Sequence, residues 1–214
     1  MATLNANALV GLDRTKEELD IILSNSDYDD QVIQYINVVS DAIELDTNRI
    51  FRQQVYTHRF TGNNKHYITL KQFPATVLTS VHVDRNWGFG ASSEVPSPTE
   101  TDILDEVFLI RRGTCNFWPM EPSNMQVIYT AGYATIPDGI QQAAIEWVRL
   151  IWLSQSDRRI GRSSKGKQGE NASWTNDVPT IVTNLLTPYK REAVVQRALS
   201  LNGFEVINGE ANNK

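Results

Sequence analysis

Gly161, Gly166 and Lys167, in the octet GRSSKGKQ, stand at the spacing of the phosphate-binding loop G-x-x-x-x-G-K-[ST]. Such a loop needs a strand before it and a helix after it, so that backbone N–H groups and the helix N-terminus converge on phosphate oxygens. Here a long helical pattern precedes the octet, GENASWTND follows it, and Gln168 replaces the hydroxyl that would hold magnesium. The octet therefore reads as a mobile basic loop. GFGASS at 88–93 lacks the third glycine and the flanking elements of a dinucleotide fingerprint, and reads as a turn.

Three histidines, His58, His66 and His82, fall in strand-like runs, with no H-E-x-x-H or C-x-x-C spacing to support zinc. Cys115 is the sole cysteine, so no intramolecular disulfide forms, and no partner that would make it a nucleophile is identifiable. Asp and Glu are plentiful on helical faces, where solvation is their ordinary state. No catalytic residue, no metal and no cofactor is expected, and the chain is not expected to be an enzyme.

The elements that would carry any site are those of an ordinary globular chain. At 214 residues, 41% hydrophobic and 21% charged, the chain suits one domain with a sizeable core. Its net charge of −5 and pI near 5.2 argue against a general nucleic-acid binder. Charge is segregated: residues 13–46 hold ten acids against two bases, while 157–170 hold five bases against two acids. Such segregation favours ordered self-association or steering of a charged partner. The N-terminus lacks a signal-peptide pattern, and Glu146 and Arg149 interrupt the most apolar stretch, so a soluble protein made in the cytoplasm is expected, with no membrane partner.

Thr15 and Glu18 have capping-box spacing, predicting a short helix from there to about Leu23. Val32, Ile36, Val39 and Ile43 then form one stripe of a helix from Asp29 to about Arg49. The runs QQVYTHRF, HYITLKQF, TSVHVD, VFLIRR and MQVIYTA read as short strands of an antiparallel sheet. Pro96 and Pro98 mark the longest connector, an exposed loop. Pro137 opens the fullest helical stripe, Ile140, Ala143, Ala144, Trp147, Val148, Ile151 and Trp152, which predicts the central core helix with both Trp buried. VPTIVTNLLTPYKR predicts a short helix stopped at Pro188, and a weak pattern at Val194, Ala198 and Leu201 precedes a polar end. The fold class is α+β, with a helical core of about four helices, an antiparallel β-rich middle and an extended C-terminal arm.

This order of segments resembles the tailed-bacteriophage head–tail connector (adaptor, head-completion) family. LVGLDRTKEELDIILSNSDYDDQVIQYINVVSDAIELDTNRIF resembles its opening helix, acidic turn and long helix ending in an Arg-containing segment. Leu70 to Val83 resembles its strand–Pro–strand crossing, and Ile128 to Trp152 its Y-x-A-G-Y junction into a Pro-led core helix. VPTIVTNLLTPYKR resembles its closing L-L-x-P-Y segment. The resemblance spans residues 9 to 191, although the β-rich middle and the tail after Arg191 are longer than in the smallest adaptors. It implies an adaptor domain over 1–190, with a β-rich insertion at about 53–131, and an arm over 191–214 ordered only on binding.

The resemblance also implies a structural virion protein of the neck. It would form a homo-oligomeric ring of twelve subunits beneath the portal protein, extending the DNA channel and meeting the next neck or tail protein. In such a ring, Arg158, Arg159, Arg162, Lys165 and Lys167 would form a loop contacting the channel or portal, and Asp27, Asp29 and Asp30 a subunit interface. Two other readings stay open on the residues alone: another ring-forming neck part such as a stopper or tail terminator, and an unidentified enzyme or binding domain.

Overall fold

The stripe Val32, Ile36, Val39 and Ile43 does form one helix. In the computed structural model, which describes residues 2–97, 99–113, 117–156 and 178–203, it runs over Asp29–Thr47. The chain divides into two units, residues Met1–Asn48 with Ile136–Lys190, and Arg49–Thr135 with Arg191–Lys214. The first is helical: α1 (Leu12–Glu18), α2 (Asp29–Thr47), α3 (Asp138–Ser156) and α4 (Thr180–Leu186), with a 3-10 turn at Thr187–Tyr189. The second holds β1 (Gln54–Phe60), β2 (Tyr67–Thr69), β3 (Ala75–Val83), β4 (Thr101–Leu104), β5 (Phe108–Arg111), β6 (Met125–Ala131) and α5 (Arg191–Leu201). The fold is α+β.

In the helical unit α3 packs against both α2 and α4. That double coverage widens its buried face beyond one narrow stripe. Ile140, Ala143, Ala144, Ile145 and Val148 are fully buried, including Ile145, which lies off the predicted stripe. Trp147, Ile151 and Trp152 are only partly covered, correcting the expectation that both Trp anchor the core. Trp152 instead meets Tyr28 edge-to-face at 5.4 Å, at the margin of the helix pair. The first helix also departs from its capping-box reading. Gly11 is its N-cap, and Thr15 sits inside it, donating its hydroxyl back to the Gly11 carbonyl at 2.9 Å. α2 closes on Asn48 in the left-handed region (φ 53°), which an Asn side chain tolerates.

The β-rich middle is two antiparallel three-stranded sheets, in orders β1-β6-β3 and β2-β5-β4. Around β6 the alternation is regular: Met125, Val127, Tyr129 and Ala131 point into the core, while Gln126, Ile128 and Thr130 point out. Tyr56, Phe60, Val81 and Trp118 share that core with Ile68 of β2 and Leu109 of β5. Strand β4 has no counterpart in the sequence reading. In the second sheet Val107 and Phe108 meet Phe73 and, from α5, Val194, Val195, Ala198 and Leu199. Of the weak apolar pattern after Lys190, Val194 and Ala198 thus cover the sheet, while Leu201 stays exposed.

Candidate assembly surfaces

The acidic turn between α1 and α2 is built on one buried cation. Lys16 is almost fully enclosed, and its ammonium donates to the Leu23 carbonyl (2.9 Å), the Asn25 carbonyl (2.7 Å) and Asp29 Oδ1 (2.7 Å). Three donors meet three oxygens, so the charge is satisfied although desolvated. Of the three acids assigned to an interface, Asp29 is therefore engaged within its own chain. Asp30 accepts the Ala2 N–H at 2.5 Å, and Asp27 is exposed. Ile22 and Leu23, on the same turn, are also exposed.

The segment Tyr129–Tyr133 organises the sheet unit. Gly132 lies in the left-handed region (φ 105°), and its N–H donates to the Pro74 carbonyl at 2.9 Å. A Cβ there would stand 2.5 Å from the Arg52 carbonyl oxygen, so both conformation and space require glycine. Tyr133 stacks on Phe51, ring centroids 6.5 Å apart. The Arg49 guanidinium lies over Phe73 (4.3 Å) and Phe51 (5.2 Å) and donates to the Phe73 carbonyl at 2.6 Å. Buried Arg suits this cage because its planar, weakly hydrated cation stacks on rings while it donates.

The Tyr129 hydroxyl accepts the Gln72 N–H at 3.0 Å and lies 3.0 Å from His58 Nδ1. Burial pushes the Tyr129 phenol up to about 12. It stays protonated, free to donate its hydrogen to Nδ1 of a neutral His58. Burial, and after it the charges of Lys71 and Arg191, lowers the His58 pKa. The histidines are not brought together. His58 on β1 faces inward, His82 on β3 is paired with Gln126 on β6 and has its Nδ1 3.2 Å from the Gly90 carbonyl oxygen, and His66 lies tilted against Phe117 ahead of β2.

In the helical unit Gly139, in the first turn of α3, gives room to Tyr189, whose hydroxyl would lie 3.1 Å from a Cβ at that position. The Pro137-led helix and the L-L-x-P-Y segment, far apart in sequence, thus meet. Lys190 fixes the same end to α2 by a 3.0 Å ion pair with Asp46. GFGASS forms part of the turn after β3, where Asp84 accepts the Asn86 N–H (2.8 Å) and Gly88 N–H (3.1 Å). The basic residues Arg158, Arg159, Arg162, Lys165 and Lys167, and Cys115, lie outside the described residues. Sequence reasoning missed Lys16 and Arg49, since a basic residue carries no sign of its own burial. For Lys16 the usable signal was its place opposite a dense run of carboxylates, and for Arg49 the flanking aromatic Phe51.

Among the described residues no helix is long and apolar enough to cross a membrane. Comparison with curated protein sequences finds no match. Similar solved structures include a chain from the neck of an empty GTA particle computed with C6 symmetry, at 17% identity and TM-score 0.57, covering 88% of this chain and 93% of that one. A chain from the virion of a native gene transfer agent (GTA) particle aligns at 16% identity and TM-score 0.52, covering 92% of each. A third, from the neck of a native GTA particle computed with C12 symmetry, has 15% identity and TM-score 0.52, covering 86% of this chain and 92% of that one. At these identities the likeness is one of fold. The sequence model for "head completion protein" matches residues 20–192, from the α1–α2 turn through the start of α5 and so across both units. The chain therefore belongs to the head completion protein family of phage head–tail connectors and is a structural protein of the virion neck.

Proposed function

We propose that the chain forms a closed ring of twelve copies beneath the portal, lengthening the channel through which DNA leaves and presenting a surface to the next neck or tail protein. The observation that carries this reading is the family match over 20–192, together with a fold shared along nearly the whole of chains found in particle necks. The role is structural, and binding rather than chemistry is what the surfaces serve. A net-acidic wall around DNA limits sticking, since phosphates are repelled where no cation meets them. The bases at Arg158, Arg159, Arg162, Lys165 and Lys167 supply salt-sensitive contacts to the portal or to passing DNA. Asp27 and Asp30 lie at the acidic end of α2 that faces a neighbouring copy, whereas Asp29 holds Lys16.

Particles made without this protein should fill with DNA, fail to keep it and carry no tails. Normal tailed particles would refute the reading. Replacing the five loop bases with Ser should reduce portal binding and DNA retention without changing the melting temperature. If both match the native protein, the loop is a passive linker.

A further inference from the structure

The outward face of the first sheet sets exposed valines among its polar residues, where the solvent side of an antiparallel sheet is ordinarily polar. The register sets its outward residues in rows across the strands. Val55, Thr130 and Val77 form one row, and Thr57, Ile128 and Ser80 the next. Val55 is 66% exposed and Val77 55% exposed. A further row begins with Arg59 and ends with His82. These three rows contain no acid.

The helical unit carries a counterpart. Along α2 the outward ridge is Gln34, Val38, Asp41 and Leu45, at helical offsets of 0, 4, 7 and 11. Val38 is 62% exposed and Leu45 84% exposed. The ridge contains an acid and no base. Among the described residues Val38, Leu45, Val55 and Val77 all stay exposed and the two surfaces carry opposite charges, while the Arg59–His82 end of the sheet face is met by the loop after β3, with Arg59 over Phe89 (5.1 Å) and His82 Nδ1 3.2 Å from the Gly90 carbonyl oxygen. Exposed aliphatic side chains recurring on one face suit an interaction surface.

We propose that the outward α2 ridge of one copy docks on the outward face of the β1-β6-β3 sheet of the next copy. The proposal rests on the ring reading and specifies its subunit interface. Two different surfaces meet, so the contact is head-to-tail and repeats until the ring closes. The aliphatic groups exclude water, while Asp41 and Arg59 set orientation at the rim, where charge directs partner choice more than affinity. This contact lies farther along α2 than Asp27 and Asp30 and adds to the one they make with a neighbouring copy.

The test uses particles whose necks carry the full chain with Leu45→Cys and Val77→Cys in a Cys115→Ala background, treated with a short bismaleimide. The expected result is a ladder of crosslinked multimers in the double variant and none in either single variant. Val77→Asp should leave the melting temperature of the purified chain unchanged, because the site is exposed, and lower the yield of rings by about tenfold, the equivalent of ~1.4 kcal/mol. Asp41→Lys should lower it as well, and Arg59→Glu in the same chain should restore it. Rings visible by electron microscopy without a ladder would overturn this interface and leave the ring reading standing. Necks that hold no ring of this chain would overturn both.

Discussion

Among the described residues the helical unit buries Lys16 and the sheet unit buries Arg49, in opposite ways. Lys16 sits in a nest of three oxygens, one of them the Asp29 carboxylate, and braces a turn between two helices. Arg49 sits among Phe73, Phe51 and Tyr133 and donates to the Phe73 carbonyl. A compact ammonium wants oxygens all around it, and a flat guanidinium accepts ring faces. The helical unit is thus fixed by a polar clamp over an apolar helix seam. The sheet unit is fixed at a point where strands, an aromatic cage and a glycine close approach coincide.

The largest expected effect tests that coincidence. Gly132→Ala must relieve both a left-handed backbone and a 2.5 Å overlap with the Arg52 carbonyl. It should cost about 4 kcal/mol. Gly139→Ala in the helical unit faces only the mobile end of Tyr189 at 3.1 Å and should change stability by less than ~1 kcal/mol. Chemical denaturation of the two variants checks the contrast, and equal losses would break it.

Removing each buried cation comes next. Arg49→Ala should cost ~3–4 kcal/mol, and Arg49→Lys should recover little of it, since an ammonium neither stacks nor donates in a plane. Lys16→Ala leaves Asp29 without its partner and should cost ~3 kcal/mol, less than a fully enclosed pair because Asp29 keeps some solvent. Lys16→Arg should be no better tolerated, as the longer planar group does not fit three converging oxygens. Full rescue of Arg49 by Lys would show that charge alone matters in the sheet unit.

Along α3, Ile145→Ala should cost about 3 kcal/mol and Trp152→Ala about 2 kcal/mol, because the aliphatic is fully enclosed and the larger Trp is not. The reverse order would restore the two Trp to the centre of the core.

The smallest effect is a pH dependence confined to the sheet unit. His58 has a lowered pKa in the fold, so the unfolded chain takes up its proton first as pH falls. Stability from this group is complete above the unfolded value, near 6.5, and is lost as pH drops from there toward the folded value. His58→Gln should remove that part of the acid slope in melting temperature. An unchanged slope would assign it to other groups.

Much of the helical unit was legible because periodicity reports burial directly: Val32, Ile36, Val39 and Ile43 needed only their spacing. Ile145 was not, since its burial depends on α4 covering a second side of α3, and that neighbour comes from distant sequence. In the sheet unit β6 was legible to the residue, by alternation. Strand β4 was not: Thr101–Leu104 is four residues long, includes Asp102, and exists because β5 offers it a partner. The Y-x-A-G-Y and L-L-x-P-Y segments were recognisable as patterns, but their reasons lie in three dimensions, in the Arg52 carbonyl above Gly132 and in Tyr189 over Gly139. The exposed Val55 and Val77 carry no mark of their exposure, because alternation shows that two faces exist and not which neighbour covers them.

A reconstruction of the neck of intact particles tests the central claim most directly. The account predicts a closed ring of this chain between the portal and the next component, with the α2 ridge of each copy against the sheet of its neighbour. A neck in which this chain is a single copy, or is absent from the portal-proximal layer, would contradict it.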